Sequence, residues 1–259
     1  MKFEIKKGLF FNALGMASKS KKSLLYVALV DALFLAALFV FQKIFSVISY
    51  AVAGRQMFSL ILPLALIYYL ALLFIYSISK YLVLNLIESS FAKNKLDFSR
   101  IGRFYFLNIM LFVLLLLAFF LLSFIAASVK EEIAPYVSLL ILLVYFMFAY
   151  AAVNIAQILF YEGKNIINSL IISIKSLAKI RRYYGTYLVI LAAFAAIFVL
   201  FGIFGSLLKL TLFQDYSSLL KYGDMYTIIF VHAAGIVFYI AVFFNRHYFY
   251  SIVKEKFLK

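Results

Sequence analysis

Residues 154–210 read NIAQILFYEGKNIINSLIISIKSLAKIRRYYGTYLVILAAFAAIFVLFGIFGSLLKL. An apolar run ends at Phe160, and Glu162-Gly163 breaks it with a turn pair. Ile166, Ile167, Leu170, Ile171, Ile174, Leu177 and Ala178 then recur at helical spacing, while Asn168, Ser169, Ser173, Ser176 and Lys179 hold other faces. That spacing predicts an amphipathic helix. Lys179, Arg181 and Arg182 close it and complement the negative end of the helix dipole, with Gly185 read as its stop. A second apolar run follows Gly185. Both runs are long enough to cross a hydrocarbon layer of ~30 Å, so the stretch predicts two membrane spans joined by a helix lying at the interface, apolar side down.

The rest of the chain repeats this grammar. Of its 259 residues 67% are hydrophobic and only 14% charged, against about 25% in a soluble domain. Six apolar spans are predicted: Leu24–Phe41, Phe58–Ser79, Phe104–Ser128, Val137–Phe160, Gly185–Leu208 and Tyr226–Phe244. Residues 1–23 carry six Lys, residues 80–103 and 160–184 carry five Lys or Arg each, and the tail after Phe244 carries four. The alternate segments 42–57, 129–136 and 209–225 hold only two, one and two. This bias places both termini on the cytoplasmic side of the cell membrane. The net charge of +15 is then a topology signal and an attraction to anionic headgroups, not a nucleic-acid footprint. An Ala-x-Ala at Ala51 and Ala53 lies ten residues beyond the first apolar run, wrong for a cleaved signal, so the first span is expected to stay. There is no Cys, which excludes disulfides and thiolate metal sites, and no Trp, which leaves the interfacial aromatic role to 20 Tyr.

The odd-numbered spans begin near residues 24, 104 and 185, and a basic amphipathic segment precedes each. In the second copy Leu84, Ile87 and Phe91 face away from Asn85, Glu88, Ala92 and Lys93; in the first, Phe3, Phe10, Leu14 and Ala17 share a face. The expected fold is an all-α polytopic membrane protein, a single transmembrane domain over 1–259. Its six transmembrane helices form three hairpins, each preceded by an amphipathic cytoplasmic interfacial helix, with internal repeats 1–79, 80–160 and 161–259. The turn Glu162-Gly163-Lys164, the helix from Asn168-Ser169-Leu170 through Ser173, and Lys175-Ser176-Leu177 carry a resemblance. The order of parts resembles the six-span membrane domain attached to some glycerophosphodiester phosphodiesterases and its stand-alone relatives. This chain lacks the proline that usually precedes the acidic turn there, and it lacks the phosphodiesterase catalytic domain. The resemblance therefore implies a fold and no enzymatic activity.

Asp31 is the sharpest candidate for chemistry. It sits seven residues past Leu24, about 10 Å into the first span at 1.5 Å per residue. A carboxylate at such depth costs about 2.5–3.5 kcal/mol on insertion scales and usually faces the bundle interior with a partner. Tyr69 and Tyr239 reach a comparable depth and offer phenols. Asp31 reads either as a proton- or cation-coupling carboxylate or as a hydrogen-bonded packing residue. Asn108, Asn154 and Gln157 fall in the inner third of their spans, as interhelical glue or as the lining of a polar cavity. Lys6, Lys7, Lys175, Lys179, Arg181 and Arg182 are the expected headgroup contacts.

His232 and His247 stand 15 residues apart with no acidic residue near, so no metal site and no cofactor is expected. Glu131-Glu132 lacks the arginine an intramembrane protease pair would need, since Tyr136 stands there. No His-Glu-x-x-His, Gly-x-Ser-x-Gly or phosphate-cradling loop occurs, and an enzyme is disfavoured. Ala28, Ala32 and Ala36, and Ala192 to Gly205 on the fifth span, predict close helix packing; Pro63 predicts a kink in the second. Two functions follow as expectations. One is a non-catalytic scaffold or accessory subunit engaging lipid headgroups and a protein partner in the membrane. The alternative is a small-solute transporter, or a membrane subunit of one, with Asp31 as coupling carboxylate.

Overall fold

The structure, a computed structural model, describes residues 21–54, 58–89, 97–130, 132–179, 183–211 and 216–258. Among these residues the chain is helical: α1 (Lys21–Gly54), α2 (Ile61–Ser89), α3 (Ile101–Ala127), α4 (Ala134–Tyr161), α5 (Ile166–Leu177), α6 (Tyr184–Thr211) and α7 (Tyr216–Lys256). One-turn 3₁₀ helices at Phe58–Leu60 and Phe98–Arg100 lead into α2 and α3. All but α5 are long and apolar enough to cross a membrane, which gives six candidate spans. The helices fall into two compact units, α1–α5 and α6–α7.

Turn chemistry sets the boundaries. Pro135 lies in the first turn of α4, where a missing N–H removes no intrahelical bond. Pro63 does the same at the third position of α2, so it begins that helix instead of kinking a span, as the sequence alone suggested. The junction between α4 and α5 is closed by two caps. Gly163 adopts φ +104°, its N–H donates to Phe160 O at 3.1 Å, and the Lys164 N–H donates to Leu159 O at 3.0 Å. This is the paired bonding of a Schellman cap, which favours glycine at the positive-φ position. Two residues on, Asn165 caps α5 by accepting from the Asn168 N–H at 2.7 Å.

Three further expectations change. Residues 80–89, read as the start of an interfacial helix, continue α2 without a break, and Leu84, Ile87 and Glu88 are buried. Gly185 is not a stop: it lies in the first turn of α6, where a Cβ would come within 2.6 Å of Tyr248 Oη on α7. The alanine faces are not the packing faces either, since Ala32 and Ala36 are exposed and Gly202 has open space around it. Aromatic rings join α1 to α2 instead, with Phe45 4.4 Å and Phe41 5.6 Å from Tyr68 and Phe34 edge-on to Tyr76. Phe201–Phe230 and Phe194–Phe238 join α6 to α7 in the same way. The first-copy residues Phe3, Phe10, Leu14 and Ala17 lie outside the described residues.

Burial is concentrated at one end of the helices. In α2 it covers Ser77 to Glu88, in α3 Phe104 to Leu111, and in α4 Ala151 to Tyr161. In the other unit the buried part of α7 runs from Phe243 to Val253. The remaining lengths carry large exposed apolar side chains such as Leu33, Phe39, Leu62, Leu121 and Phe124. Each Leu or Phe left in water forgoes about 1.5–3 kcal/mol. Burying Ser77, Asn108, Asn154 and Gln157 while exposing large leucines and phenylalanines suits a hydrocarbon solvent. The fold is a multi-pass membrane protein whose α1–α5 unit carries its buried polar side chains at one packed end.

Candidate functional site: a buried polar ladder and a basic helix

Helices α2, α3 and α4 meet at the packed end through a ladder of side-chain hydrogen bonds. Ser77 Oγ donates to Leu73 O of its own helix at 2.6 Å and accepts from Asn108 Nδ2 at 2.9 Å. Gln157 Nε2 donates to Asn108 Oδ1 at 2.7 Å and to Tyr76 Oη at 3.1 Å. One residue from each of three helices is thereby locked in register. Gln157 is fully buried and its Oε1 has no partner.

The next rung holds charges. Lys80 Nζ donates to Asn154 Oδ1 at 3.0 Å, while Asn154 Nδ2 donates back to Tyr150 O at 2.8 Å. Asn85 Nδ2 donates to Tyr161 Oη at 2.9 Å, and Glu88, 7% exposed, faces the same phenol. The Arg100 guanidinium donates to the carbonyls of Phe160 and Tyr161 and lies 5.0 Å over the Phe160 ring. From the turn that leads into α3 it therefore supplies a donor to the Tyr161 carbonyl at the end of α4 and a second donor to the Phe160 carbonyl, which already accepts from Gly163. Tyr81 Oη donates to Asp97 O at 3.0 Å, and Asp97 caps the 3₁₀ turn by accepting from the Ser99 N–H and hydroxyl. Those two bonds hold the exposed Asp97 carboxyl below its usual range.

The helix α5 packs beside α4 with its hydroxyl side inward: Ser169, Leu170, Ser173 and Ser176 are buried. Ile167, Ile171 and Ile174 are 62%, 45% and 51% exposed, and Lys175 and Lys179 are exposed beside them. In water this orientation would be inverted.

The sequence candidates thus separate. Asn108 and Gln157 come together directly, and Asn154 joins Lys80 on the neighbouring rung. Asp31 is half-buried on α1; Tyr69 is 56% exposed on α2 with its ring against Tyr68; Tyr239 is half-buried on α7 in the other unit. Lys175 and Lys179 are described, whereas Lys6, Lys7, Arg181 and Arg182 lie outside the described residues. Sequence reasoning missed Lys80, Asn85, Glu88, Arg100 and Tyr161. For Asn85 and Glu88 the available signal was their three-residue spacing on one helix face just beyond the apolar run. It also placed His247 beyond the sixth span, yet His247 is fully buried within α7, its Nδ1 3.1 Å from Phe243 O and its Nε2 unpartnered. No metal-ligating group of three or more residues forms among the described residues.

These features define the class: a six-span, multi-pass membrane protein. Comparison of the chain with protein families, with curated proteins and with solved structures gives no match.

Proposed function

We propose that the chain is a non-catalytic integral membrane protein whose basic interfacial helices engage anionic lipid headgroups, serving as a scaffold or accessory subunit for a protein partner in the membrane. In this reading the packed end and both termini face the cytoplasm, and α5 is the interfacial helix of the third of three repeated hairpins. The kinship suggested by the Glu162-Gly163 turn with the membrane domain of the phosphodiesterases belongs to the same proposal. The observation that carries it is α5, which buries serines and exposes isoleucines beside Lys175 and Lys179. A basic residue at an anionic surface contributes about 1 kcal/mol, so removing two changes lipid preference by up to roughly thirty-fold. The test is lipid analysis of protein extracted in mild detergent. Enrichment of anionic over zwitterionic lipid, reduced in the Lys175→Gln/Lys179→Gln variant, supports the proposal; identical lipid content in both proteins counts against it.

A second reading, small-solute transport with Asp31 as coupling carboxylate, is favoured by the unpartnered Gln157 Oε1, an acceptor held ready inside the ladder. It predicts a retained small molecule that is lost on Asp31→Asn.

A further inference from the structure

Helices α3, α4 and α5 frame an apolar groove of about 640 Å³. Leu115 and Ala118 form one wall, and the other follows α4 from Leu140 to Ala152. Leu177 and Ala178, at the end of α5, complete the lining.

Chain geometry fixes which end of the groove these two residues occupy. Ala152 lies nine residues before the end of α4, about 14 Å along the helix, and Leu140 about 32 Å. The 12-residue α5, starting five residues after that end, extends only about 18 Å. Its last turn reaches the level of Ala152 and not that of Leu140. The Lys80–Asn154 rung lies just beyond Ala152, marking where polar packing gives way to the exposed apolar lengths. From there to Leu140 is about 18 Å, close to the depth of one leaflet, about half of the ~30 Å core.

We propose that this groove holds one acyl chain of an anionic phospholipid whose phosphate is bound by Lys175 and Lys179. The inference deepens the headgroup-engaging reading and rests on it, turning a general surface attraction into a defined site. Three observations converge on a lipid: a lining without a charged residue, a length matching one leaflet, and two exposed ammonium groups on the turn that carries Leu177 and Ala178. The small residues Ala118, Ala149 and Ala152 leave the groove its width.

The test is native mass spectrometry of the full chain transferred from nanodiscs of phosphatidylglycerol and phosphatidylcholine. The wild-type chain is expected to keep one phosphatidylglycerol that outlasts the surrounding lipid. Ala149→Phe fills the groove and should weaken that retention at least ten-fold; Ala118→Phe does so from the opposite wall and serves if the first variant fails to fold. Lys175→Gln/Lys179→Gln should abolish the preference for phosphatidylglycerol over phosphatidylcholine. Full retention in both phenylalanine variants with loss in the lysine variant overturns the groove and leaves the headgroup reading standing. Retention in all variants, or no retained lipid in the wild type, removes both. Dissociation of an oligomer in the phenylalanine variants, without lipid loss, assigns the groove to a second copy and overturns the proposal.

Discussion

Replacing Asn108 with Leu should destabilise the packed end far more than the modest change in size suggests. The amide makes two interhelical bonds, donating to Ser77 and accepting from Gln157. At an average of about 0.6 kcal/mol each within membranes, these account for about 1.2 kcal/mol. The substitution also orphans one N–H of Gln157, whose Oε1 already lacks a partner, and each buried orphan costs about 1–3 kcal/mol. The expected loss is about 2–4 kcal/mol. Gln157→Leu removes two bonds as well and strands the Asn108 Oδ1 acceptor, but it eliminates the orphaned Gln157 Oε1, so the two orphan costs offset and its loss should be about 1 kcal/mol, from the two bonds alone. In the double variant no Gln157 amide remains to be stranded, and a coupling of about 1–2 kcal/mol should appear as a double variant less damaged than the sum. Thermal unfolding in a single detergent is the assay, at roughly 2–4 °C per kcal/mol for a chain of this size. Ser123→Ala, an exposed hydroxyl bonded only to its own helix, is the control and should stay within about 0.5 kcal/mol. An Asn108→Leu protein as stable as the control, or strict additivity in the cycle, would refute the ladder as the element that fixes helix register.

Other consequences are local. Gly163→Ala should cost about 1–2 kcal/mol because its φ of +104° is unfavourable for any L side chain, whereas Gly202→Ala, with open space for the new methyl, should be tolerated; the same unfolding assay separates them. Arg100→Lys keeps the charge but loses the fork that reaches two carbonyls, so faster amide exchange is expected at the α4–α5 junction than in wild type. The Asp97 carboxyl titrates below its unfolded-state value of about 4, so its cap contributes stability above that pH and loses it as pH falls through the lowered folded value; Asp97→Asn should remove this acid-dependent part of the melting profile.

Much of the fold was legible because bilayer physics is written in composition. Runs of apolar residues separated by charged segments locate six long helices, and Glu162-Gly163 marks the turn between α4 and α5. Where a helix outlasts its apolar run, that signal fails. Residues 80–89 look amphipathic because one face packs on α3 and α4, a pattern that periodicity cannot tell from a face lying on a membrane. Pro63 misled for a related reason: hydropathy placed it inside a span, while the 3₁₀ turn at Phe58–Leu60 puts it in the first turn of α2. Depth counting grouped Asn108 with Asn154 and Gln157, and in the structure Asn108 and Gln157 are bonded while Asn154 pairs with Lys80. It could not find Arg100, whose partners are backbone carbonyls 60 and 61 residues away. The alanine stripes were over-read because large interlocking rings, which carry no periodic signature, join the helices instead.

The natural chain has no cysteine, so its topology can be read with single introduced thiols. Ser99→Cys and Lys164→Cys lie at exposed positions by the packed end, and Ser128→Cys lies at the exposed turn between α3 and α4. With a membrane-impermeant thiol reagent added outside intact cells, a six-span chain with its basic segments inside leaves the first two unlabelled until the cells are opened, and labels the third at once. Labelling of all three from outside would show that α3 and α4 do not cross the bilayer, and the inverse pattern would place the basic, packed end on the outer face.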